Sequence, residues 1–407
     1  MPPPLPDYPF ELTLNSRLDA PAPFPDSLKP YFAQTDFDNA RQVISQWPGY
    51  RASPLLSLSG MATAVGVNEL YYKDESQRFG LASFKPLGGA YAVTRLMTRI
   101  LEPLSSEPVD SGKMLEGEYR ELIQDITVTA ATDGNHGRSV AWGAKRCGCR
   151  CVVYIHQHVS RRREQAIADL GAEVIRIEGH YDDSVRQAYR SAQKPDWYII
   201  QDTTDGEEIE TTLDVMRGYT LLADEAIRQI PQPPTHLFLQ AGVGGMAAAV
   251  LARYWYEMGV QRPVSILCEP KTAACCYLSM QAGQPTVAPG DLETIMAGLA
   301  CGEISSLAWD VLDTGANAAL MLDDESVADC MRMMASKRFG DQAVVAGESA
   351  VAGLIGLIGL MHDEDARQRL CLDRNSRVLV FGTEGATDPE LYQQIVGKTA
   401  DEVRDDN

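Results

Sequence analysis

The chain has 407 residues, 45% of them hydrophobic, 23% charged and 7% aromatic, with a formal charge of -20. That length exceeds what one hydrophobic core usually supports, so two lobes are expected. The acidic balance opposes a nucleic-acid partner or an anionic membrane surface, and nine cysteines without framework spacing fit free thiols in a reducing cytoplasm.

The N-terminus, Met1-Pro2-Pro3-Pro4-Leu5-Pro6-Asp7, carries neither a basic n-region nor an apolar h-region, so no secretory leader is expected. Residues 1–45 read as a Pro-rich arm, with the first regular element beyond them. From Pro54 the pattern predicts a helix ending at Gly66, a strand Glu69–Lys73 and a loop leading to Lys85. A helix over 90–100 and a surface insertion over 102–117 follow. The β-branched run Ile126 to Ala131 is a strand, and it stops at the polar turn Thr132-Asp133-Gly134-Asn135-His136-Gly137. Strands over 151–155, 173–177 and 197–200 then alternate with helices over 138–146, 161–170 and 181–193. That rhythm means βαβ units and a parallel sheet.

A second series has a helix over 213–229, a strand over 235–240, a Gly turn and a helix over 246–258. Beyond these come a strand over 264–268, helices over 272–282 and 326–336, and the apolar run 350–361. That run is too short to span a bilayer and reads as a buried helix. A strand over 377–381 ends the series. The division expected is an arm 1–45, a large domain from 46–90 with 200–400, and a small domain 91–199.

Three turns and one lysine carry the chemistry. Lys85 sits between Phe84 and Pro86, before Gly88 and Gly89, and Pro suits the first position of a helix. Desolvation among such neighbours would turn its amine into a nucleophile able to form a Schiff base; alternatively it is a Lys at a helix start whose charge reaches solvent. The turn Gly242-Val243-Gly244-Gly245-Met246 opens a helix N-terminus, a phosphate cradle in form. It also fits the dinucleotide fingerprint, with Glu269 at the end of the next strand as a ribose partner, so a dehydrogenase is a rival reading. In the Thr132–Gly137 turn the glycines let a ligand approach, Asn135 can donate to an oxygen and Asp133 can be a general base, or the turn only caps its helix. Thr383, in Thr383-Glu384-Gly385, can hydrogen-bond a ring nitrogen. Cys147, Cys149 and Cys151 with His156 and His158 raise a metal site, but alternate strand positions give one face of thiols and no C-x-x-C knuckle, so packing is expected.

In this order, Ser83-Phe84-Lys85, Asp133-Gly134-Asn135-His136-Gly137, Gly242-Val243-Gly244-Gly245 and Thr383-Glu384-Gly385 resemble the fold-type II pyridoxal-phosphate enzymes. Asp133, where dehydratases usually carry Ser, and the tracts Thr294 to Leu299 and Gly347-Glu348-Ser349 make the chain most similar to the diaminopropionate ammonia-lyase family. The resemblance implies an α/β architecture of two lobes, each a mostly parallel twisted sheet flanked by helices, with the active site in the cleft between them.

It further implies pyridoxal 5'-phosphate held covalently by Lys85, its phosphate on Gly242, Val243, Gly244, Gly245 and Met246, Asn135 beside its phenolic oxygen and Thr383 near its ring nitrogen. The implied reaction is elimination from 2,3-diaminopropionate to pyruvate and two ammonia. Lys85 and Asp133 are the bases for the L- and D-substrates, Thr132 holds the carboxylate and Asp202 grips the β-ammonium. A homodimer is carried over on the same ground. After Gln201-Asp202-Thr203 the chain departs from the family pattern with Thr204-Asp205-Gly206-Glu207-Glu208. That departure keeps serine, threonine, a hydroxyaspartate or a sulfonated analogue open as the substrate. A non-catalytic binding protein on the same fold is the remaining alternative.

Overall fold

The computed structural model describes residues 4–18, 20–132, 134–179, 181–204 and 209–407. Its strands are β1 Phe10–Leu14, β2 Leu55–Ser57, β3 Glu69–Asp74, β4 Thr127–Ala131, β5 Arg150–His156, β6 Glu173–Ile177, β7 Trp197–Ile199, β8 His236–Gln240, β9 Val264–Pro270, β10 Ala318–Leu322 and β11 Arg377–Gly382. The chain divides into two compact units, Met1–Phe32 with Ala52–Ser83 and Leu222–Asn407, and Ala33–Arg51 with Phe84–Leu221.

The first unit contains a seven-stranded sheet in the order β1-β10-β9-β8-β11-β3-β2. Its five inner strands are parallel, and both edge strands run antiparallel to their neighbours. Strand β8 is buried along its whole length, as a parallel strand covered on both faces must be. The apolar run forms the helix Ala352–His362. A Cβ at Gly353 would lie 3.3 Å from Phe238 Cβ, and one at Gly356 would lie 2.9 Å from Cys268 Sγ and Leu320 Cδ1. Two glycines one turn apart thus let this helix sit directly on β8, β9 and β10.

The second unit holds a four-stranded parallel sheet, β6-β5-β4-β7. Strand β4 is buried throughout, and the helices Pro86–Leu101 and Asn135–Cys147 pack on one another. A Cβ at Gly143 would lie 2.7 Å from Ala90 Cα, so that packing requires a residue without a side chain.

Several elements differ from the sequence reading. Strand β1 and the helix Gln34–Ser45 lie inside the segment read as an irregular arm. Leu55–Ser57 is a strand paired with β3 rather than the start of a helix, and the helix proper is Ser59–Val65, closed by left-handed Gly66. Cys147 ends a helix, Gly148 turns the chain in the left-handed region, and Cys151 lies in β5. The three thiols therefore do not share a strand face. Burial pushes Cys147 and Cys151 each up to about 12, which keeps them as neutral packing groups. Among the described residues no helix is long and apolar enough to cross a membrane.

Candidate active site

Lys85 is the N-cap of the helix Pro86–Leu101, with Pro86 at its first position as the sequence predicts. The Gly pair after it is a packing device. A Cβ at Gly88 would overlap the Tyr219 ring, and one at Gly89 would overlap Ser139 Oγ. A Cβ at Gly218 would in turn overlap the Leu87 carbonyl. Tyr219 also packs on Phe84 at 4.8 Å between ring centroids. These close approaches fix the direction in which Lys85 leaves its helix.

Lys85 is largely withdrawn from solvent. Its Nζ lies 2.6 Å from Asp202 Oδ2, and the two side chains are 17% and 11% exposed. Asp202 is placed by the end of β7 and the loop after it. The Gln201 side chain accepts from Ala131 N–H at 3.3 Å and donates to the Ala131 carbonyl at 3.4 Å, tying that loop to β4. Thr212 Oγ1 donates to the Gln201 carbonyl at 3.1 Å. Burial alone would raise the Asp202 carboxyl. The charges of His136 and Lys85, with the Lys85 hydrogen bond, outweigh it and hold the group well below the usual carboxylate range. Burial, however, lowers His136 and favours its neutral form, so the Lys85 ammonium is the steady source of that effect.

His136 Nε2 lies 2.9 Å from the Ile200 carbonyl, and its Nδ1 is 3.7 Å from Asp202 Oδ2. Thr132 Oγ1 accepts from Gly134 N–H at 2.9 Å and Gly137 N–H at 3.1 Å, closing the turn and leaving the hydroxyl its own proton to donate. Asn135 opens the helix Asn135–Cys147 directly beyond this turn. Asp133 lies outside the described residues, as do residues 205–208 of the divergent segment.

In the other unit, the turn after β8 leads into the helix Gly245–Met258. Gly244 is its N-cap at φ +88°, where a Cβ would lie 3.0 Å from both Ala308 Cβ and Leu312 Cδ1. A Cβ at Gly242 would lie 3.1 Å from Cys301 Sγ. The helical ladder begins with Ala248 N–H to the Gly244 carbonyl, so the N–H groups of Gly245, Met246 and Ala247 precede it at the positive end of the dipole. Thr383 follows β11, the strand beside β8. Gln240 Nε2 donates to the Phe381 carbonyl at 2.6 Å and to Ala350 at 2.9 Å, which holds the two turns side by side. The Thr383 turn also anchors the approach to the lysine, because Gly385 N–H donates to the Ala82 carbonyl at 2.9 Å and Ser83 bridges Glu384. Ala82 itself is held at φ +56°, a conformation that costs about 1 kcal/mol without glycine.

Two rivals fall on geometry. Lys73 is more deeply buried than Lys85, but its ammonium spends its three donors on the Ser53 carbonyl, Glu225 and Gln229, at 2.7 to 2.8 Å. Arg78 and Glu75 complete that closed network, which holds the loop leading toward Lys85. Glu269, the acid a ribose would need, is 0% exposed, and its two oxygens accept from Cys276 N–H at 2.9 Å and Tyr277 N–H at 2.7 Å. It caps the helix Cys275–Ala282 and is not available to a dinucleotide. Together with Cys275 and Cys276 it forms the one metal-competent grouping among the described residues.

Burial pushes Glu269 up to about 8. A carboxyl raised on folding contributes stability below its unfolded pKa and loses it as pH rises through the folded value. Chemical denaturation is therefore expected to show stability falling between about pH 4.5 and 8, and Glu269→Gln is expected to flatten that slope.

Each unit brings part of what a phosphate-bearing aldehyde would need. One has a largely buried lysine paired with a carboxylate, and the other has a helix N-terminus opened by closely packed glycines with a neutral hydroxyl on the neighbouring turn. Residues 46–383 match the model of the pyridoxal-phosphate dependent enzymes. The chain is 38% identical over 384 residues to diaminopropionate ammonia-lyase of Escherichia coli, covering 92% of this chain and 94% of that one. It is 40% identical over 361 residues to the Salmonella typhimurium diaminopropionate ammonia-lyase, covering 86% and 89%. A crystal structure of the Escherichia coli enzyme in complex with an aminoacrylate-PLP azomethine reaction intermediate superposes with a TM-score of 0.84 at 35% identity, over 96% of this chain and 97% of that one. A family model matched over most of the chain, a fold-type II architecture and identity along nearly the whole length have one explanation: the chain belongs to the diaminopropionate ammonia-lyase family of pyridoxal-phosphate-dependent enzymes.

Proposed function

We propose that the enzyme converts 2,3-diaminopropionate and one water into pyruvate and two ammonia by α,β-elimination. The observation that carries this reading is the 2.6 Å pair between Lys85 and Asp202, an amine for the cofactor beside an acid for a cationic substrate. Pyridoxal phosphate, when bound, would supply the electron sink that the elimination needs. Lys85 Nζ anchors it and then takes the Cα proton from one face, for the L-substrate. Asp133 is proposed as the base on the other face, for the D-substrate. Thr132 Oγ1 donates to the substrate carboxylate, and Asn135 to the cofactor's phenolic oxygen. Thr383 would give the cofactor's ring nitrogen a neutral partner, which suits prompt elimination.

Asp202 has the most specific part. Once Lys85 is engaged by the cofactor, Asp202 exchanges one ammonium for another and grips the β-ammonium of the substrate. That swap keeps the site's charge balanced, and a neutral β-hydroxyl does not offer it.

Gly242 to Met246 hold the phosphate through backbone N–H groups. Gly244→Ala forces a side chain into a left-handed position 3.0 Å from Ala308 and Leu312. It is expected to weaken cofactor retention on the order of tenfold, about 1.4 kcal/mol, measured by the loss of bound cofactor absorbance on dialysis.

A homodimer in the cytoplasm is the proposed setting, and the nine cysteines, all free, agree with a reducing compartment. The deciding experiment is turnover of a panel of β-substituted amino acids. Two ammonia per pyruvate from diaminopropionate, with kcat/KM well above that for serine or threonine, supports the proposal. Preference for a β-hydroxyl substrate, at one ammonia per 2-oxo acid, overturns it.

A further inference from the structure

His136 is 5% exposed, and its Nδ1 is a buried polar atom without a hydrogen-bond partner. Its tautomer follows from its neighbours. The Ile200 carbonyl, 2.9 Å from Nε2, can only accept, so Nε2 carries the proton and the Nδ1 lone pair faces Asp202 Oδ2 at 3.7 Å. Among the described residues, the charged groups acting on this ring are Asp202, from the loop after β7, and Lys85, from the start of the helix Pro86–Leu101. Neither β4 nor β5, on which the His136 helix lies, adds another.

This geometry bears on a difficulty in the proposed role of Lys85. The adjacent carboxylate stabilises its ammonium, yet an amine must be neutral to attack a carbonyl or to take a Cα proton. Leaving the proton on Asp202 would destroy the acid that the cationic substrate needs. We propose that His136 takes up the proton that Lys85 sheds, with Asp202 as the carrier between them. The Lys85 Nζ–H bond breaks, an Asp202 Oδ2–H bond forms and breaks in turn, and a His136 Nδ1–H bond forms. The net change is ammonium plus neutral imidazole to neutral amine plus imidazolium, with Asp202 a carboxylate before and after. Closing the gap from 3.7 Å to about 2.9 Å takes a side-chain movement of about 0.8 Å. His136 acts through Asp202 and is a positioning residue in this scheme.

The proposal rests on Lys85 being the cofactor-bearing amine, and its test needs no cofactor, so the two fail separately. The full-length, cofactor-free protein with 15N-labelled histidine is titrated by NMR as wild type, Lys85→Met and Asp202→Asn, with the His136 signal assigned by its loss in His136→Gln. The expected result is a His136 imidazolium that persists about one pH unit higher in Lys85→Met than in wild type, the low end of the effect of one nearby charge. In Asp202→Asn it should disappear at a lower pH than in wild type, and the neutral ring should carry its proton on Nε2 throughout. A His136 that titrates alike in all three proteins, or whose neutral ring is protonated on Nδ1, overturns the proposal.

Discussion

Lys85→Ala is expected to lower turnover by at least about 10³-fold, because it removes the covalent anchor and a proton-transfer group together. The same change leaves the Asp202 carboxylate without its ammonium. Breaking a fully buried pair costs about 3–5 kcal/mol; with side chains 17% and 11% exposed, a smaller loss of about 1–3 kcal/mol is expected here. Lys85→Arg separates the two effects. A guanidinium keeps the charge beside Asp202 but cannot become a neutral nucleophile at any working pH. It should therefore recover much of the stability and none of the activity. Recovery of activity by Arg would mean that residue 85 acts as a charge and not as an amine.

Asp202→Asn is expected to cost about 10²-fold in kcat/KM on diaminopropionate, about 2.7 kcal/mol. Asn keeps the shape and one acceptor for Lys85 but loses the charge proposed to hold the β-ammonium. A kcat loss from the missing proton carrier should be common to both substrates, while the added rise in KM should be smaller for serine, whose β-group is neutral. An equal loss on both substrates, with no KM difference between them, would place Asp202 in service of Lys85 alone. Stability adds a second signature. The Asp202 carboxyl is held below its unfolded value, so its contribution is complete above the ordinary carboxylate pKa and is lost only as pH falls through the lower folded value. Wild type should accordingly lose stability relative to Asp202→Asn only in strong acid.

The Lys85 site was legible where its signals are local. Apolar neighbours, Pro86 and the Gly pair announce an unusual helix start, and that start is where the structure has it. The purpose of the Gly pair was not legible, because Tyr219 and Ser139 meet it from far along the chain. The phosphate turn could be read as a cradle, but only the burial of Glu269 under two backbone N–H groups separates it from a dinucleotide fingerprint. His136 was visible inside the Asn135-His136-Gly137 motif. Its unpartnered nitrogen became apparent only once Ile200 and Asp202 were placed beside it. Tyr219 carried no signal within its helix. Among the strands, β2 escaped notice because it is three residues long, β1 because it is an edge strand of the large sheet set within the Pro-rich arm, and β10 because its Ala-rich start has little β propensity. The buried strands β4 and β8, and the partly exposed β6, stood out as apolar or β-branched runs between turns.

The central claim is the identity of the lysine that holds pyridoxal phosphate. Borohydride reduction of the cofactor-loaded protein, followed by peptide mass mapping, is predicted to place the pyridoxyl group on Lys85 alone. A label on Lys73 or any other lysine, or no covalent label at all, would contradict it.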